Sequence, residues 1–149
     1  MVFLKESFIR STPERVFGFH EQPDALLLLI PPWEKAVVIQ SAAISKVGSR
    51  AIIETKVLGP IAVRWIAEHT AYDPPHFFED VQVKGPFRFW RHRHLVQARE
   101  DGAVLRDEIE YEPPLGFIGR MLSGPFIENR LRRLFDYRHE VTRKWCEAD

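Results

Sequence analysis

The stretch Phe78-Glu79-Asp80-Val81-Gln82-Val83-Lys84-Gly85-Pro86-Phe87-Arg88-Phe89-Trp90-Arg91-His92-Arg93-His94-Leu95-Val96 decides how the chain reads. Successive side chains of a strand point to opposite faces. Phe78, Asp80 and Gln82 therefore share one face, and Trp90, His92, His94 and Val96 share one face, while Glu79, Arg91 and Arg93 fall on the other. Gly85-Pro86 interrupts both runs and marks a turn. A three-residue Gly85-Pro86-Phe87 loop sets Asp80 opposite His92 and Gln82 opposite Trp90; a two-residue loop breaks that match, and the sequence leaves both open.

Outward from this hairpin the same period of two continues in segments near 35–44, 49–58, 61–72, 76–84, 87–99 and 103–112, a meander in which short links favour antiparallel neighbours. Asp101-Gly102 reads as a two-residue turn, which places His94 opposite Ile109, His92 opposite Tyr111 and Val96 opposite Asp107. Residues 2–10 supply another strand, followed by a short helix to about Phe19, for which Ser11 (spaced Ser-x-x-Glu) and Thr12 (before Pro13) compete as cap. Asp24 is expected to cap a second short helix that Pro31-Pro32 must stop. After Pro114 the period shifts: Ile127, Leu131, Leu134, Val141 and Trp145 recur at three, four and seven, predicting one long amphipathic helix from about Pro125 to Cys146.

The strand residues then sort into two rows. Arg50, Glu54, Lys56, Arg64, Glu68, Glu79, Arg91, Arg93, Arg99, Arg106, Glu108 and Glu110 form a row suited to water. The opposite row holds Ile53, Val57, Val63, Trp65, Ala67, Phe78, Val96, Leu105 and Ile109, together with His69, Asp80, Gln82, Trp90, His92, His94, Asp107 and Tyr111. A buried carboxylate or imidazole costs several kcal/mol unless it is paired, hydrated or bound to a ligand. The inner row therefore predicts a polar-lined hollow between sheet and terminal helix. A satisfied internal Asp80–His92 pair is the plain structural alternative for those two residues.

Composition narrows the function. The 149 residues are 45% apolar and carry 21 basic and 21 acidic side chains, so there is no net field to draw nucleic acid, and one domain over 1–149 is expected. Phe87 to His94 mixes bases with aromatics, but alternation puts Trp90 and the histidines on the face opposite Arg91 and Arg93, which argues against a nucleic-acid surface. The lone Cys146 and the charged N-terminal residues suit a cytoplasmic setting. The longest greasy run, Ala25 to Ile30, falls far short of a membrane span, so no stable membrane insertion is expected, and nothing in the sequence specifies an oligomeric state. No phosphate loop or nucleophile elbow is present, so no cofactor is expected. His92-x-His94 with Asp80 or His69 has the donor types of a two-histidine, one-carboxylate site. The usual short-spaced second ligand pair is missing, and no metal is predicted.

With these residues in place the chain resembles the START-like, or SRPBCC, helix-grip superfamily, in its polyketide cyclase/dehydrase-like and coenzyme Q-binding bacterial branch. The resemblance spans nearly the whole chain. It is carried by the element order, by Phe78-x-Asp80-x-Gln82-x-x-Gly85-Pro86-Phe87-x-x-Trp90-x-His92-x-His94, by Asp107-x-x-x-Tyr111-x-x-Pro114-x-Gly116 and by Phe135-Asp136-Tyr137-Arg138. It implies an α+β helix-grip fold: a curved seven-stranded antiparallel sheet wrapped around a long C-terminal helix, with two short helices between strands 1 and 2. It also implies a tunnel for a small hydrophobic molecule such as a lipid, polyketide, sterol or quinone-like compound, and no catalytic set carries over. The expected ligand-binding residues are Trp65, His69, Phe78, Asp80, Gln82, Trp90, His92, His94, Asp107, Tyr111, Phe117 and Met121. Asp80, His92 and Asp107 are the candidates for acid–base catalysis if the protein is a cyclase or dehydratase instead of a carrier. Gly116, Gly119 and Gly124 would let Phe117, Ile118 and Met121 act as a gate opposite Leu26–Pro32.

Overall fold

The computed structural model describes residues 1–56, 60–114 and 116–148, and of residues 116–123 the backbone alone. The described elements run β1 (Val2–Ile9), α1 (Pro13–His20), α2 (Ala25–Leu28), β2 (Val37–Gln40), β3 (Arg50–Thr55), β4 (Val63–Asp73), β5 (Phe77–Lys84), β6 (Phe89–Arg99), β7 (Gly102–Glu112) and α3 (Gly116–Glu147). The strands form one antiparallel sheet in the order β1-β7-β6-β5-β4-β3-β2, with the two short helices between the first two strands and α3 packed on the sheet. This is the expected α+β architecture.

Local chemistry explains the element ends. Thr12, extended at φ −71 and ψ 151, accepts from the Arg15 N–H at 3.2 Å, with Pro13 at the first helical position, which settles the cap in favour of Thr12 over Ser11. Asp24 precedes α2 but makes no side-chain cap, because its backbone (φ −101, ψ 6) is not extended and its carboxylate does not reach the first-turn N–H groups. Arg15 covers the far end of α3, with Nε donating to the Cys146 carbonyl at 2.9 Å and the guanidinium 4.8 Å from the Trp145 ring centre.

Two expectations of extent are corrected. The long helix starts at Gly116, not near Pro125, and its 32 residues reach about 48 Å at 1.5 Å per residue. Glycine weakens a helix by roughly 1 kcal/mol without forbidding it, and Pro125 deletes one internal hydrogen bond while the flanking turns continue. The strand expected at 35–44 shrinks to Val37–Gln40, where a register shift between Val38 and Gln40 breaks its ladder with β3.

The two rows lie as expected. Along β7 the burial alternates, with Ala103, Leu105, Asp107, Ile109 and Tyr111 inward. On the outer face Arg50 pairs with Glu68, Arg91 with Glu110, Arg93 with Glu79, and Arg106 with Glu6 and Glu108. Buried apolar residues gather in two clusters, one around Ile9, Phe17, Phe19, Val96 and Leu105, the other around Phe3, Phe87, Trp90, Ile109, Leu131 and Phe135.

The β6–β7 register differs from the one expected from the sequence. Asp80 does face His92, as the three-residue loop requires. Between β6 and β7, however, the turn residues are Glu100 and Asp101, and Gly102 already pairs with Arg99. Every pair moves by two positions: Trp90 faces Tyr111, His92 faces Ile109 and His94 faces Asp107. A shift of two preserves the faces and changes the partners. Gly102 is needed for close approach, since a Cβ there would lie 2.3 Å from the Ile9 carbonyl oxygen on β1. Replacing Gly102 with Ala should therefore destabilise the protein by about 1–3 kcal/mol, as overpacked sites do, measured by urea unfolding. An unchanged midpoint would show that β1 does not press on β7 there.

Candidate functional site

Neighbouring strands bring the inner-row polar groups together. Phe78, His94 and Asp107 lie side by side across β5, β6 and β7, and Asp80, His92 and Ile109 form the next rung. Short contacts run diagonally between rungs, as side chains on one face of a sheet allow. His92 Nε2 lies 2.6 Å from Asp107 Oδ1, and His94 Nε2 lies 3.2 Å from Asp80 Oδ2. His94 Nδ1 is also 3.0 Å from Asp107 Oδ1, close enough for charge attraction but not aligned as a hydrogen bond. From α3, His139 Nε2 reaches Asp107 Oδ2 at 2.6 Å, and His139 Nδ1 reaches Ser7 Oγ on β1 at 2.8 Å. An ionised carboxylate only accepts, so both Nε2 atoms donate to Asp107, and in that tautomer His139 Nδ1 accepts the Ser7 hydroxyl proton.

The electrostatics follow from burial and these partners. Burial alone would raise the Asp107 carboxyl, but donation by His139 and His92 together with the attraction of the adjacent His94 outweighs it and holds the group well below the usual carboxylate range. Asp80 shows the same contest, with burial opposed by the His94 hydrogen bond and the charges of His92, His94 and His69, and ends below its ordinary value. Burial would lower His94, yet the flanking carboxylates of Asp107 and Asp80 raise it. His92 is lowered by burial and by the neighbouring His94, against the pull of Asp107. His69 is lowered by burial, and its Nδ1 has no hydrogen-bond partner. His20 is pushed down to about 3, mainly by burial and then by His94.

Beside this cluster lies a cavity of about 230 Å³ between the sheet and α3. An apolar cavity of roughly 150 Å³ suffices for benzene, so this one has room for more than a single ring. Of the residues expected from sequence, Trp65, His69, Phe78, Asp80, Trp90, His92 and His94 line it. Gln82, Asp107 and Tyr111 do not: Gln82 braces the turn by donating from Nε2 to the Phe87 carbonyl at 2.7 Å, Asp107 is covered by the histidines it holds, and Tyr111 is buried against Phe87 and Trp90. Phe117 and Met121, with the rest of the expected gate at 116–123, have side chains outside the described residues. The exposed lining residues Gln22, Pro23 and Ser41 set an opening beside α2 and the segment after β2.

Sequence reasoning missed His20, His139 and Ser7, and it missed the lining by Ile44 and Arg138, whereas Ile127, Leu131 and Leu134 of the apolar helix stripe do roof the cavity. One signal was available for His139: it follows Phe135 by four residues on the inward stripe of α3, and both are buried.

A histidine whose folded value is depressed from about 6.5 leaves the unfolded chain as the better proton acceptor, so stability falls as pH drops below 6.5 toward the folded value. His20, His69 and His92 act in that sense, while the raised His94 opposes them, its contribution being complete below 6.5 and lost as pH rises through its folded value. Unfolding free energy should therefore decline from pH 6.5 to 4.5. His20→Phe should flatten the decline by about one proton, at most ~1.4 kcal/mol per pH unit. An identical slope in the variant would mean that His20 titrates freely in the folded protein.

The family described as polyketide cyclase / dehydrase and lipid transport has a model that matches residues 9–136. No curated protein matches the sequence. Among solved structures, protein CV1439 from Chromobacterium violaceum superposes with a TM-score of 0.75 at 14% identity, covering 99% of this chain and 98% of that one. The di-domain ARO/CYC StfQ from the steffimycin biosynthetic pathway gives 0.72 at 13% identity over 98% of this chain and 50% of its own. Ara h 8.0201 gives 0.62 at 11% identity, covering 95% and 97%. At these identities the superpositions show the helix-grip fold alone.

Proposed function

Given that the chain belongs to the polyketide cyclase / dehydrase and lipid transport family, we propose that it binds a small hydrophobic ligand in the cavity between its sheet and α3 and carries or presents it. The observation that supports this reading is a cavity of about 230 Å³ whose walls are mostly apolar, ending on one side at Asp80, His92 and His94. Apolar walls favour a ligand by removing its surface from water, and a few convergent polar groups fix its orientation. A one- or two-ring aromatic or a short acyl chain with one polar end fits this division. Arg138 and the Arg130–Glu34 ion pair, at 2.6 Å, border the same space from the helix side. Among the described residues no helix is long and apolar enough to cross a membrane.

A second reading rests on the same cluster. Two imidazoles and a carboxylate on the cavity wall can exchange protons with a bound polyketide-like substrate, as a cyclase or dehydratase requires, with Asp80 and His92 at the ligand and Asp107 holding His92.

Native mass spectrometry of gently purified protein should reveal a co-purifying apolar molecule, and a two-ring anilinonaphthalene dye should bind and be displaced by it. Ala67→Leu, which adds bulk to the cavity wall, should weaken dye binding about tenfold or more with the fold intact. Dye affinity unchanged by that substitution would place the ligand elsewhere. Turnover of a poly-β-ketone that collapses in Asp80→Asn or His92→Ala, with dye binding retained, would select the enzyme over the carrier.

A further inference from the structure

We infer that Asp80, His92 and His94 form a binding site for a divalent transition-metal ion, zinc foremost, on the wall of the cavity. This does not rest on the ligand reading, because a metal site can serve either a carrier or an enzyme, or structure alone.

One ligand atom from each of the three residues lies within 4.8 Å of the others. His94 Nε2 to Asp80 Oδ2 is 3.2 Å and His92 Nδ1 to Asp80 Oδ2 is 3.9 Å. Donors about 2.0–2.2 Å from a tetrahedral ion sit roughly 3.3–3.6 Å from one another, so small rotations bring the three into range. The spacing objection from the sequence disappears, because the carboxylate comes from the adjacent strand: Asp80 is the cross-strand partner of His92.

The outer arrangement is the stronger observation. A metal-binding imidazole normally donates its other ring N–H to a carboxylate or carbonyl, which fixes its tautomer and orientation. His92 does so here, with Nε2 on Asp107 at 2.6 Å and Nδ1 left toward Asp80. His139 and Ser7 in turn hold the second oxygen of Asp107 in place. Asp80 and Asp107 together bring two negative charges, which balance a divalent ion in a buried setting.

An independent sign comes from His69. It is 8% exposed, lines the cavity, faces Asp80 across β4 and β5, and has an Nδ1 with no hydrogen-bond partner. A fourth ligand, or a donor to a molecule bound on the ion, would satisfy it. Imidazole and carboxylate donors without thiolate suit zinc, cobalt, nickel or iron(II) better than copper(I) or calcium. A position left open toward the cavity would take an oxygen of a bound compound, such as a phenolate, enolate or carboxylate.

The test uses the full-length protein, stripped with a chelator and titrated with Zn²⁺ against a chromophoric competitor. One ion per chain should bind with a Kd below about 10 µM. Asp80→Asn and His94→Ala should each weaken it about 100-fold, Asp107→Asn should weaken it 10- to 100-fold, and His76→Ala, at an exposed histidine, should leave it unchanged. The Co²⁺ form should show visible absorption bands that disappear in His94→Ala. If His94→Ala fails to fold, the isosteric Asp80→Asn decides. Binding weaker than this, or binding of equal strength in Asp80→Asn, overturns the inference.

Discussion

The buried carboxylate of Asp107 is the constraint on which the rest of the interior depends. It sits in the middle of β7, 3% exposed, and accepts from an imidazole on β6 and from another on α3. A carboxylate removed from water needs nearly all its acceptor sites filled, and an imidazole in the same place needs its N–H engaged. Each group therefore dictates the rotamer of the next. Through His139 the chain of contacts continues to Ser7 on β1, so that one side chain ties β6, β7, the edge strand β1 and the long helix together. Removing any one member would leave another buried and unsatisfied, and such losses cost more than the net worth of the bond itself.

That arrangement also accounts for where the cavity lies. The two apolar clusters pack the ends of the sheet–helix interface with Phe17, Phe19 and Leu105 on one side and Phe87, Trp90 and Leu131 on the other. Between them the sheet presents polar side chains largely engaged with one another. His94 is held flat on Phe78, with ring centres 3.9 Å apart and 8° between the planes, and His92 stands edge-on to Phe135. Held this way, these rings form one wall of the hollow that opens beside α2.

Much of this was legible in the sequence because period two is a strong signal. Arg91 and Arg93 against Trp90, His92 and His94 sufficed to assign faces, and a two-residue error in the β6–β7 register left that assignment intact. The same error hid the chemistry. It set Asp107 opposite Val96, when its true neighbour is His94, and so separated the carboxylate from the histidines it organises. Asp101-Gly102 carries a familiar turn signature, but Gly102 serves the approach of Ile9, a tertiary demand that no local pattern records. His20 and His139 were harder to place, because each reaches the site from a helix and nothing in strand alternation says which helical turn crosses which rung, although the spacing of His139 from Phe135 put it on the inward stripe.

In the proposed carrier, specificity would follow from how the cavity is divided. A wall of Leu29, Ile44, Ile127 and Leu131 rewards apolar surface nearly in proportion to its area and distinguishes related ligands weakly, by about 1–3 kcal/mol per methylene. The Asp80, His92 and His94 end behaves differently, because buried groups tied to one another and to Asp107 have little freedom beyond small rotations. A ligand that brings an apolar end there removes water from polar atoms and returns nothing, whereas one with a matching oxygen or N–H loses little. Discrimination by unpaired buried groups is far steeper than discrimination by size. For the proposed apolar ligand, selection among compounds of similar shape would thus fall to the small polar patch on β5 and β6, where imidazole and carboxylate constrain the chemistry of an occupant more than the volume of the hollow does.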